Sequence, residues 1–328
     1  MGGFGGLFGK RPAEPARPEP IEGLTTDPCL GDSKVHEWHE RLGAGDHSSF
    51  RDYLASEPDR DRRDFTLVAV FDSLPDRAAW ADQWVDEEPS NPLARIVRGV
   101  NLVAWAWKAR TRLRASEVSP EQFNQFFPRL ELAWRDFEAA IGLPPDDGSG
   151  YGLSLDAARG LQFGNERALE IYRAAQERRP WQPTAHRSVL QSLAPKWSHS
   201  TAEIWDFARS VTQNAPIGSA VHAVIPDAHV ETWIETKGPE KDGYWRSPAV
   251  RAEIVDAATR SIDIPTADFS LPMMRARSSF AYCFAFVGER ERARREFTIL
   301  GPVVGGPFVF SADPLHMASE FRRWAAKG

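Results

Sequence analysis

The chain reads as an all-α protein of stacked antiparallel helical hairpins, and three observations carry that reading. From Ser33 onward apolar residues recur with the helical period. Strand character is confined to "GPVVGGPFVF" (Gly301–Phe310), which Gly and Pro interrupt. One spacing of small, aromatic, small and proline residues returns along the chain. Ahead of this pattern the composition is Gly-rich and then Pro-rich ("KRPAEPARPEP"), too poor in apolar side chains to offset the entropy of ordering. The expectation is a disordered tail over residues 1–30 and a single helical-repeat domain over 31–328.

The elements follow in order. "DHSSFRDYLAS" places Phe50, Tyr53 and Leu54 at i, i+3 and i+4 behind Asp46 as cap, and "DFTLVAVFDSL" continues as an almost wholly apolar helix. Two further helices run through "AAWADQWVDEEPSNPLARIVRGVNLVAWAWKAR", with Pro89 and Pro92 marking the turn between them. In "KWSHSTAEIWDFAR" (Lys196–Arg209), Ser200 with Glu203 three residues on predicts a capping box, worth about 1 kcal/mol of helix stability. Ile204, Phe207, Ala208 and Val211 then form one apolar stripe.

The repeat is explicit in "AWRDFEAAIGLPP" (Ala133, Phe137, Ala140, Pro145) and "ALEIYRAAQERRP" (Ala168, Tyr172, Ala175, Pro180), and a third copy has Ala293, Phe297, Leu300 and Gly305. A small residue lets two helices approach, an aromatic one turn later fills the groove, and proline ends the helix. These residues resemble the tetratricopeptide pattern of helical hairpins. The fullest match is Phe280, Ala281, Phe284, Gly288, Ala293 and Phe297, while the insert "ASEVSPEQFNQFF" (Ala115–Phe127) separates the helices of the first copy. "KWSHSTAEIWDFAR" with "AHVETW" also resembles uncharacterised bacterial helical-repeat proteins that carry a "KWGGS...FAR...AH.E" arrangement. The tetratricopeptide register implies that Arg275, Ser278, Tyr282 and Phe286 face the concave side of the array.

Composition narrows the function. The 328 residues carry a formal net charge of −6, and basic clusters such as "DRDRRD" and "GERERARRE" interleave both signs, so nucleic acid and anionic membranes are not expected partners. Two cysteines, Cys29 and Cys283, make no disulfide framework, and no apolar run approaches a bilayer crossing, which together point to the cytoplasm. The function expected is a non-catalytic scaffold for a protein or peptide partner, with Lys196 and Trp197 presenting a cation and an aromatic plate beside the concave residues.

Two other chemistries compete with it. His222, Asp227, His229 and Glu231 surround Pro226, and a helix broken there would open a hydrolytic or metal-assisted site if three of them converge. A small-molecule sensor would instead need an enclosed pocket. Cys29, His36, His39 and His47 have metal-ligand character, but Cys29 falls in the expected tail and Gly43 and Gly45 interrupt the helix before His47. Neither a metal nor a cofactor is therefore expected.

Overall fold

A computed structural model describes residues 19–74, 76–111, 117–198, 200–265 and 269–327. The described chain is all-α. Helices α1 (Ser33–Gly43), α2 (His47–Ser56), α3 (Arg60–Ser73) and α4 (Ala79–Glu87) lead into the long pair α5 (Pro92–Arg110) and α6 (Pro120–Ile141). The middle of the chain comprises α7 (Ser149–Gly160), α8 (Asn165–Arg178), α9 (Pro183–Ser192), the single turn α10 (Pro195–Ser198) and α11 (Ala202–Asn214). Then come α12 (Val224–Glu235), the short α13 (Pro239–Gly243), α14 (Pro248–Arg260), α15 (Leu271–Val287), α16 (Arg290–Leu300) and α17 (Pro314–Ala326).

Local signals set most of the boundaries. Asp32, Asp46 and Asp59 cap α1, α2 and α3 by accepting backbone N–H bonds with their side chains, and Gly288 ends α15 in the left-handed region. Two boundaries differ from expectation. Ser119 and Gln122 form a complete capping box, so much of the expected insert becomes the first turns of α6, with Pro128 inside the helix. The Ser200 and Glu203 box does not form: α11 begins at Ala202, and the Glu203 carboxylate instead accepts from Asn165 Nδ2 at 2.6 Å.

Two apolar cores share the helices between them. Phe50, Phe71, Phe126, Leu130 and Phe137 centre the first, built on α1 to α7; Leu190, Phe280 and Phe284 centre the second, built from α7 onward. On α7, Leu153 and Ala157 enter the first core while Leu155 and Ala158 enter the second. Of the repeat residues, Ala133, Phe137, Ala140, Ala168, Ala175, Ala293, Phe297 and Leu300 are buried, whereas Tyr172 is half-buried against the second core.

Contacts also run far beyond neighbouring hairpins. α15 packs on α3 as well as on α16. Thr25–Thr26 (β1) pairs in parallel with Val303–Val304 (β2), so the weak strand signal near residue 303 is realised. The Ile21 N–H donates to Ser319 Oγ at 2.8 Å across 298 positions, and Arg323 donates to the Glu19 carbonyl. Residues 1–18 lie outside the described residues, but 19–30, assigned to the tail from composition, are placed and bonded to the C-terminal helix. Composition misses this because the bonds holding that segment are mostly backbone bonds to residues nearly three hundred positions away. Among the described residues no helix is long and apolar enough to cross a membrane.

The face expected to be concave is covered. Ser278 is fully buried and Tyr282 is 4% exposed, its ring packed against Phe286, Phe308 and Phe321. Phe286 lies between Trp245 and Phe321. The cover is the turn Gly306–Phe310 together with α17, elements that follow the last hairpin and that its spacing says nothing about. Placing a carboxylate there buries a charge with no partner. Tyr282→Asp should therefore cost about 3 kcal/mol or more of stability in urea unfolding. An unchanged urea midpoint would show that the face is open.

Candidate functional site

The residues expected to act together separate into three environments. His222 lies on a single 3-10 turn (Ala220–Ala223) before α12 and donates its Nε2–H to the Pro216 carbonyl at 3.0 Å. Pro226 does not break a helix between the two histidines: it occupies the first turn of α12, where its missing N–H leaves no bond unmade. His229, beyond it, faces Glu253 of α14, whereas the charges acting on His222 are Arg260 and Asp256 farther along the same helix. Asp227 and Glu231, one turn apart, share a third face of α12.

His229 is held in a fixed polar frame. The Tyr244 hydroxyl donates to Nδ1 at 2.9 Å, Nε2 faces Glu253 at 3.4 Å, and the edge of Trp205 closes the ring at 4.6 Å between centroids. Burial pushes the imidazole below its ordinary pKa against the pull of Glu253, so it offers that carboxylate a neutral N–H. The His229 bond, opposed by partial burial and aided by the Arg209 guanidinium at 2.9 Å, holds Glu253 down at about 2. "FAR" and "AH.E" thus meet in space: Arg209 reaches His229 through Glu253, and Lys196 reaches Glu231.

The third face opens on a recess. Lys196 Nζ donates to Glu231 Oε1 at 3.0 Å and lies 2.9 Å from Oε2; Gln191 Nε2 donates to the same Oε1 at 2.9 Å. Arg187, one turn before Gln191 on α9, shares its side of that helix. Among the described residues no carboxylate forms an ion pair with Arg187, and its field reaches both Asp156 and Arg275. Arg275 lies 3.9 Å from Asp227, and Asp156 pairs with Arg159 at 3.2 Å across one turn of α7. At the rim, Arg159 and Arg110 both lie over the Trp107 ring, at 5.2 and 5.3 Å, and Arg110 also faces Trp197 at 5.7 Å. Trp107 and Trp197 meet edge to face at 6.3 Å.

Electrostatics describe the same concavity. Burial draws Arg275 below the usual arginine range; Asp227 opposes it, and Arg187 adds a smaller push in the same direction as burial. Burial resists the charge on Asp156, but Arg159 and Arg187 outweigh it and hold the carboxyl below its ordinary value. Yet the Arg275 side chain keeps 19% of its exposure and Asp156 keeps 26%. Groups that are desolvated and still touch water line a narrow recess. Four cations (Arg159, Arg187, Lys196, Arg275) meet three carboxylates (Asp156, Asp227, Glu231) along this strip, with Arg110 at its edge over Trp107.

Beside the rim, Arg110 also stacks on Phe126, whose ring neighbours Phe127 at 5.3 Å. Phe127 begins an open groove of about 410 Å³ lined by Glu131, Trp134, Arg135, Glu138, Leu161 and Phe163. Trp134 and Phe163 meet edge to face there at 4.8 Å.

Of the residues singled out from sequence, Lys196, Trp197, Asp227, Glu231 and Arg275 belong to the recess strip. His222, His229, Ser278, Tyr282 and Phe286 do not. Arg110, Asp156, Arg159 and Arg187 were missed, and a signal existed for two of them: "DAAR" sets an opposite-charge pair within a helix otherwise made of small and apolar residues. Comparison of the chain with protein-family models, with curated proteins and with solved structures found no match.

The depressed Glu253 pKa carries a pH signature. Stability from this carboxylate is fully present above its unfolded value near 4.5 and is lost as pH falls towards about 2. Glu253→Gln should be less stable than the parent chain at pH 7, with the difference shrinking between pH 4.5 and 3 in urea titrations. A difference independent of pH would mean that the carboxylate contributes packing alone.

Proposed function

We propose that this protein is a non-catalytic binding module, a tetratricopeptide-like array of helical hairpins that holds a protein or peptide segment by its acidic side chains. The observation that carries the reading is the excess of cations over carboxylates in a recess where Arg187 has no ion-pair partner among the described residues. A half-buried guanidinium without a counter-charge can take an incoming carboxylate with charge-assisted hydrogen bonds. Trp107 and Trp197 offer rigid aromatic surface at the rim, and the neighbouring Trp134 and Phe163 groove takes apolar side chains of the same segment.

Hydrolysis has less support. Asp227 and Glu231 are committed to Arg275 and Lys196, and His229 faces away from both. Both cysteines are free buried thiols, which accords with the cytoplasm as the place of action.

Fluorescence anisotropy with labelled decapeptides tests the reading. Acidic peptides carrying one aromatic residue should bind, weaken with added salt, and lose at least tenfold in affinity on Arg187→Glu, a charge reversal at a partly exposed position. Binding that ignores peptide charge, or that survives Arg187→Glu unchanged, would overturn it.

A further inference from the structure

Residues 27 to 36 bring together three donors that the recess does not use. The ligand atoms of Asp27, Cys29 and His36 all lie within 4.8 Å of one another. Backbone geometry places them there. Leu30 and Gly31 both adopt positive φ (51° and 77°), which turns the chain after Cys29 directly into α1. The Asp27 carboxylate accepts from Cys29 N at 2.8 Å and Gly31 N at 2.7 Å, and it bonds His36 Nε2 at 2.8 Å. The Cys29 sulfur lies 3.9 Å from Ser73 Oγ on α3. Loop, α1 and α3 therefore hold the group from three sides.

The donor set is specific. A thiolate, an imidazole nitrogen and a carboxylate oxygen are the ligands that zinc combines, at about 2.0 to 2.3 Å each in tetrahedral geometry. Such a metal sets its donors roughly 3.3 to 3.7 Å apart, so the group reaches that spacing by side-chain movements of about an ångström. Cys29 and Asp27 are buried at 2% and 9% exposure, whereas the His36 side chain is 48% exposed. The group is therefore open to solvent on the His36 side. Of the other histidines weighed as ligands, His47 stacks on Trp80 at 5.2 Å, and His39 is outside the group.

We propose that Asp27, Cys29 and His36 form a three-ligand site for a divalent transition metal, zinc by its donor set, with one coordination position open to solvent. The metal ties the loop after β1 to α1, and so fastens the segment that pairs with Val303–Val304.

Cobalt(II) added to the full chelator-treated chain is the direct probe. The expected result is one equivalent bound, with a near-ultraviolet thiolate-to-cobalt absorption that Cys29→Ser removes and Cys283→Ser leaves in place. His36→Ala changes an exposed side chain and leaves the fold intact, and it should weaken binding at least tenfold, read by the same absorption and by equilibrium dialysis with zinc. A wild-type chain without the thiolate band overturns the proposal, as does a band that survives Cys29→Ser. Should Cys29→Ser fail to fold, His36→Ala decides: cobalt and zinc affinities equal to wild type overturn the site.

Discussion

A helix buried over most of its surface has to be built largely of small residues, and α7 is that helix, with only Tyr151, Asp156 and Arg159 half-buried. Its sequence "SGYGLSLDAARG" allows α6, α8 and α9 to close around it: a Cβ on Gly160 would stand 2.4 Å from Leu130 and 3.0 Å from Phe126. Each apolar core takes part of its surface from α7, so the meeting of the two cores rests on how closely its neighbours approach. A side chain at Gly160 would have to displace Leu130 and Phe126 in the first core.

The same burial explains the polar chemistry at its two ends. At the N-terminus the Ser149 hydroxyl donates to Asp64 at 2.7 Å and accepts from Arg63 at 2.5 Å, while Arg179 reaches Asp64 at 2.5 Å. Groups this deeply placed are tolerable only as a connected network, since each lost partner leaves a desolvated charge. Towards the C-terminus, Asp156 and Arg159 make the corresponding pair, but here the network stays open. Arg275 lies 3.9 Å from Asp227, and Arg187 has no ion-pair partner among the described residues.

The residues of "KW", "FAR" and "AH.E" come together in this arrangement. Lys196 with Glu231, and Arg209 with Glu253 and His229, clamp α10 and α11 against α12 and α14. The clamp forms one wall of the recess and sets where Trp197 stands. Its histidine holds that wall in place, because both of its nitrogens face fixed side chains of the frame.

Helical periodicity, the Asp46 cap and the small-aromatic-small spacing were enough to establish from sequence that the chain is helical and most of the residues buried on α6, α8 and α16, although Tyr172 of that spacing stays half-buried. These properties depend on neighbours within a turn or two, where the spacing of 3.6 residues determines which side chains share a face. What covers each face was decided only in three dimensions. Tyr282 and Phe286 share a helix side as expected, yet α17 and the turn at Gly306–Phe310 lie over it. Asp227 and Glu231 share a side as well, and they face Arg275 and Lys196 rather than His229. Residues 19–30 look like tail by composition and are held by a parallel pairing with residues 303–304. In each case the deciding contact joins residues that are distant in sequence, and the hydrophobic effect and charge pairing that select it depend on proximity in space, which a local pattern does not encode.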